Sequence, residues 1–181
     1  TPAMPTRPAS AVMVPRLVAL PSAPVMSTLT PGVALSMRLT VLPAASAGTE
    51  YRVAAPPSQN LGGGFELAGF LAVVATSDLT TVEIEATGPI VPGAGLGAGG
   101  GSVVLDRGDV LLVSSEFDAQ VGASGSDLSG TRVTSSAPVL VFAGHAGPQV
   151  PLGFFAVDHV EESVPPVTAL ATDYLVARPW Y

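Results

Sequence analysis

Apolar and polar residues alternate with period two along much of this chain. In Thr80 to Ala86, Val82, Ile84 and Ala86 point one way and Thr81, Glu83 and Glu85 the other. Period two with β-branched residues marks a half-buried strand. An apolar run, Phe70 to Thr76, precedes it across Ser77-Asp78-Leu79, and the two read as a hairpin. Ser102 to Leu105 and Val110 to Ser115 flank Asp106-Arg107-Gly108-Asp109 as a second hairpin. Thr131 to Thr134 and Pro138 to Ala143 flank Ser135-Ser136-Ala137 as a third. Pro138 is tolerated at the first position of a strand. Val33 to Val41 and Glu50 to Ala54 supply two earlier strands, and no stretch has a convincing helical period. The pattern predicts an all-β fold, an antiparallel β-sandwich or barrel-like architecture built from hairpins. Val82, Ile84, Leu111, Val113, Val139 and Val141 are its expected core.

One segment occurs twice. Val41 to Pro57 reads VLPAASAGTEYRVAAPP and Val164 to Trp180 reads VPPVTALATDYLVARPW. The two share Pro43/Pro166, Thr49/Thr172, Tyr51/Tyr174, Val53/Val176 and Pro56/Pro179, with Glu50 matched by Asp173. Such periodicity marks a repeated structural unit. Residues 1–32 read as a Pro-rich leader or linker, 33–163 as a β-sandwich repeat unit, and 164–181 as the start of a second, truncated unit. A strand left at a truncated edge invites self-association.

Composition narrows the function. Fourteen acids against seven bases, all Arg, give a net charge of -7. That disfavours nucleic acid and anionic membranes, which need a positive footprint. There is no Cys, so neither a disulfide framework nor thiolate chemistry is available. Only 12% of residues are charged, and Ala, Val, Gly, Pro, Ser and Thr fill the gap. Such a surface suits a secreted protein. The most apolar stretch, Ala11 to Leu42, is cut by Pro15, Pro21, Pro24 and Pro31. A spanning helix needs about 20 predominantly apolar residues, so no membrane insertion is expected.

Candidate chemistry is sparse. Arg107-Gly108-Asp109 spells a tripeptide that some adhesion receptors read, but a hairpin turn with Gly108 at positive φ explains it. The Gly-rich loop Gly93 to Gly101 lacks the Lys-Ser/Thr and the helix that a phosphate cradle requires. No Gly-x-Ser-x-Gly elbow opens a helix. The distinctive stretch is the loop from Gly144 to Pro166, with His145, Asp158, His159, Glu161 and Glu162. His145, His159 and Glu161 make a minimal ligand set for a metal. The structural alternative is that His145, Asp158 and His159 hydrogen-bond across the loop and hold it to the sheet.

The ordered motifs LAVVATSDLTTVEIEA, LDRGDVLLVSS, DLSGTRVTSSAPVLVFAGH and VDHVEESVPPVTALATDYLVARP run from Leu71 to Pro179. Together they resemble the N-terminal domain of the IgG Fc-binding protein family, which also occurs in large secreted bacterial proteins. The resemblance implies a β-rich, extracellular, non-enzymatic module. Family members often carry one Cys after the Gly-His pair and another before Asp-His; here those places are Gly147 and Val157. The cross-link that would pin the loop is therefore missing. The expected function is a secreted, non-catalytic binding or adhesion module of a larger extracellular or cell-surface protein. Its expected partner is an extracellular protein or glycan, and no cofactor is expected. The alternatives are a structural spacer and a metal-dependent site.

Overall fold

The computed structural model describes residues 13–14, 43–154 and 157–173. The strands are β1 Met13–Val14, β2 Gly48–Arg52, β3 Gln59–Asn60, β4 Glu66–Leu67, β5 Gly69–Ala75 and β6 Thr80–Glu85. They continue with β7 Gly100–Leu105, β8 Val110–Ser114, β9 Ala123–Ser124, β10 Arg132–His145 and β11 Val160–Val164. The protein is all-β. Eight strands form one antiparallel, nearly closed, barrel-like sheet, and β3, β4 and β9 form a small second one. The expected strand over 33–41 lies outside the described residues, as do residues 174–181. Met13 and Val14, within the expected leader, pair with Leu111 and Val110 as an edge strand.

The three expected hairpins are a correction. β5 does not pair with β6. β5 lies along the second half of β10, from Gly69 opposite His145 to Ala75 opposite Val139. β6 lies along its first half, from Val82 opposite Ser135 to Glu85 opposite Arg132. β7 pairs with β6 and β8 with β5. Residues 69–85, 100–114 and 132–145 are thus three long strands side by side. Arg132–His145 is unbroken.

The three supposed turns fall side by side at one corner. There Gly108 donates to the Ala75 carbonyl and Ala75 to that of Asp109. Arg107 N–H donates to Asp78 at 3.0 Å, Leu79 N–H to Asp106 at 3.1 Å, and Thr81 N–H to Ser136 Oγ at 2.9 Å. Polar and left-handed residues serve a bulge as well as they serve a reversal. Leu79 at φ 52° and Gly108 at φ 89° occupy that region. Pro138 has no N–H to give the ladder, and the β2 pairing shifts register between Thr134 and Val139. The paired hairpins are instead β3–β4, β6–β7 and β10–β11; the last two close through the long loops 86–99 and 146–159.

Bending at the corner turns both halves of each strand onto one core. Leu71 and Val73 from β5 join Val82 and Ile84 from β6 in a single buried cluster with Leu111, Val113, Val139 and Val141. All six expected core residues are buried. Tyr51 is buried with them; its hydroxyl donates to the Val139 carbonyl at 2.5 Å and accepts from Gly48 N–H at 2.7 Å. Burial raises the phenol pKa, and the Gly48 bond offsets part of that.

The duplicated segment has one local shape over its described residues. Ala44–Ser46 after Pro43 and Val167–Ala169 after Pro166 are each a single 3-10 turn. Pro43 sits at φ -58°, ψ 147° and Pro166 at φ -65°, ψ 153°. In both, the proline carbonyl accepts at 2.8 Å from the residue three further on. The second turn packs against the start of β2: a β-carbon on Gly48 would stand 2.4 Å from that of Pro166, so only glycine allows the approach.

Candidate functional site

The histidine-acid stretch spans the end of β10, the 146–159 loop and the start of β11. Val139, Val141, Ala143 and His145 form the inward row of β10, and His145 is fully buried. Its Nδ1 accepts the Gly147 N–H at 3.1 Å, which leaves the proton of the neutral ring on Nε2. Nε2 is buried and makes no hydrogen bond. Burial holds the imidazole below its usual range. The carbonyls of Pro57 and Leu67 oppose that shift, and the charge of His159 adds slightly to it.

The neighbouring position faces the other way. A β-carbon on Gly144 would lie 2.1 Å from the Val160 carbonyl oxygen and 2.9 Å from Phe70 Cζ. The missing side chain lets the Phe70 ring lie across β10. That ring stacks on His159, with centroids 5.8 Å apart and planes 20° apart. His159 Nε2 is 3.3 Å from Glu161 Oε2, and Asp158 Oδ1 accepts the His159 N–H at 2.9 Å. Glu162 is exposed opposite Ala143.

His145 therefore faces the core while His159 and Glu161 stand with Phe70 on the outer face. The three are not brought together as a metal set. Among the described residues no three His, Asp or Glu are grouped to hold a metal. Asp158 and His159 bond to each other as chain neighbours, while His145 bonds to Gly147, so the expected bonds from His145 across the loop are not made. Each bonds locally, and an aromatic stack joins Phe70 of β5 to His159, the residue before β11, across Gly144.

Two polar anchors carry no signature in the sequence. Gln59, buried in the small sheet, accepts the Gln149 N–H at 2.8 Å and donates to the Gln149 carbonyl at 3.1 Å. Its amide thus imitates a strand neighbour and pins the long loop. Asp118 accepts from Ser126 N–H and Oγ–H, each at 2.6 Å, and from Ser58 at 3.2 Å. The Ser126 bonds hold its carboxyl below the usual range. Ordinary loop composition hides both, because the partners lie 90 and 8 positions away. The Arg-Gly-Asp tripeptide is part of the corner: Asp109 Oδ2 accepts the Asp106 N–H at 2.9 Å.

Above this scaffold the loop forms an open depression of about 290 Å³, lined by Pro148, Val150, Phe154, Val157, Asp158 and Val160. Beneath it, a β-carbon on Gly147 would stand 3.6 Å from that of Val157.

The family model for IgGFc binding protein matches residues 38–181. The chain belongs to the IgGFc-binding family. A curated relative, the human IgGFc-binding protein, is 32% identical over 142 residues. That match covers 76% of this chain and 2% of the human protein. No solved structure matches. Among the described residues no helix is long and apolar enough to cross a membrane.

Proposed function

We propose that this chain is a non-catalytic, protein-binding module of a larger extracellular protein, and that it binds through the loops at the His145 end of the sheet. One observation carries the reading: Gln59, in the small sheet, holds the 146–154 loop at Gln149 while the apolar side chains of that loop stay exposed. Rigid strands that present fixed loops are a common design of binding modules. The family supports a protein partner. Fc binding belongs to the name of the human relative, of which this chain spans about 2%. Immunoglobulin is therefore one candidate among extracellular proteins.

The test is capture of purified proteins on immobilised chain, using immunoglobulin G, mucins and matrix proteins. Reversible, saturable binding of at least one supports the reading. Binding of none removes it.

A second reading, a spacer in a tandem array, is favoured by the matched turns at Ala44–Ser46 and Val167–Ala169. On that reading residues 33–163 are one unit, the chain from Val164 opens another, and Pro166 against Gly48 fixes the joint. A longer chain that includes the next unit should melt higher than this one. Equal melting removes the spacer reading.

A further inference from the structure

We propose that the loop end is a docking face for a protein segment that carries an apolar anchor flanked by Lys or Arg. This deepens the binding-module reading and rests on it. Eight of the twelve exposed large apolar side chains among the described residues fall in 57–68, 115–126 and 146–160. Scattered apolar residues are ordinary on a surface, but a cluster with a polar rim marks an interaction site. The first loop joins the other two. Gln59 holds Gln149, a β-carbon on Gly147 would stand 3.5 Å from Leu67 Cδ1, and one on Gly62 would stand 3.3 Å from Val121 Cγ1.

Charge selects the occupant. Residues 57–68, 115–126 and 146–163 carry Glu66, Glu116, Asp118, Asp158, Glu161 and Glu162, with no Lys or Arg. The rim thus repels polyanions, including acidic glycans, and attracts a cationic partner. The depression, at about 290 Å³ and open, is too shallow to enclose a small molecule. It suits an anchoring side chain, with Phe154, Val150 and Asp158 among its lining residues.

The probes are two labelled peptides, one with an Arg-Leu-Trp-Leu-Arg centre and the other with Glu in place of both Arg. Their affinities are read by fluorescence anisotropy on the whole chain. The Arg peptide should bind at least about tenfold more tightly than the Glu peptide, with an advantage that shrinks as salt rises. Phe154→Ser should weaken the Arg peptide about tenfold, the scale of a lost anchor. Asp158→Asn with Glu162→Gln should weaken it a few-fold and flatten its salt dependence. All three side chains are exposed, so these variants should keep the wild-type melting curve. Leu79→Ser, at the corner, should change nothing. Equal affinity for the two peptides, no binding of the Arg peptide, or indifference to Phe154→Ser would overturn the proposal. A captured protein that binds Phe154→Ser undiminished would overturn the docking face and leave the binding module intact.

Discussion

Gly147 and Val157 stand across the base of the 146–159 loop with β-carbon positions 3.6 Å apart. That separation is what a disulfide requires, about 3.5–4.5 Å. These are also the places where the family resemblance implies cysteines in other members. The loop here keeps the geometry of the cross-link without the bond, with Gln59 holding it from the side. Gly147→Cys with Val157→Cys should therefore oxidise spontaneously. The chain has no other cysteine, so a thiol titration should read no free thiol after oxidation. Closing so short a loop should stabilise the protein by about 2–3 kcal/mol, seen as a melting point that falls on adding reductant. Two titratable thiols under oxidising conditions would show that the loop base is not closed.

The anchor at Gln59 carries a second expectation. Gln59→Ala leaves the N–H and carbonyl of Gln149 without their protein partner, a cost of about 1–3 kcal/mol. The loss should be local. Amide exchange at Gln149 to Gly153 should accelerate more than exchange in β5 or β10. Uniform acceleration through the sheet would mean that Gln59 supports the core and not the loop.

Much of the class and core was legible in the sequence, and little of the connectivity. Val82, Ile84, Leu111 and Val113 announce inward faces by alternation, because side-chain period is a local property of a strand. Partner choice is not local. Ser77-Asp78-Leu79 and Asp106-Arg107-Gly108-Asp109 carry turn chemistry that a reversal and a corner both use, and only the partners of Ala75 and Thr81 distinguish them. Of the candidate site, Asp158, His159 and Glu161 are neighbours in the sequence and contact one another locally. The inward placement of His145 against the half-buried outer placement of His159 and Glu161 depends on Phe70 and Gly144, which no spacing rule connects.

Burial of His145 sets a pH dependence. A neutral buried imidazole has its pKa lowered from 6.5, so the unfolded chain takes up a proton more readily than the folded one. Stability is therefore full above about pH 6.5 and falls as pH drops through the folded-state value. His145→Gln should flatten the melting temperature over pH 5 to 7. Asp118 acts lower: its carboxyl, depressed by Ser126, contributes stability above its usual pKa of 3.8 that is lost in more acidic solution. A melting profile that stays as steep in His145→Gln would assign the pH dependence to other groups.

The outer face makes a different prediction. His159→Ala removes the stack on Phe70, a contact worth about 0.5–1.5 kcal/mol, and should lower the melting point with or without chelator. A metal site would give the reverse: chelator would destabilise the wild type and leave His159→Ala unchanged.

Tyr51 tests the corner. Tyr51→Phe strands the Val139 carbonyl beside Pro138, where the β2 ladder is broken, and should cost about 1–3 kcal/mol in denaturant melts. A neutral effect would mean that water replaces the phenol.

Hydrogen exchange on the chain, alone and saturated with the captured protein it binds most tightly, addresses the binding face most directly. The predicted result is slowed exchange in 146–154 and 157–160, with the corner at 106–109 unchanged. Slowing confined to the corner, or no slowing anywhere because no protein binds, would contradict it.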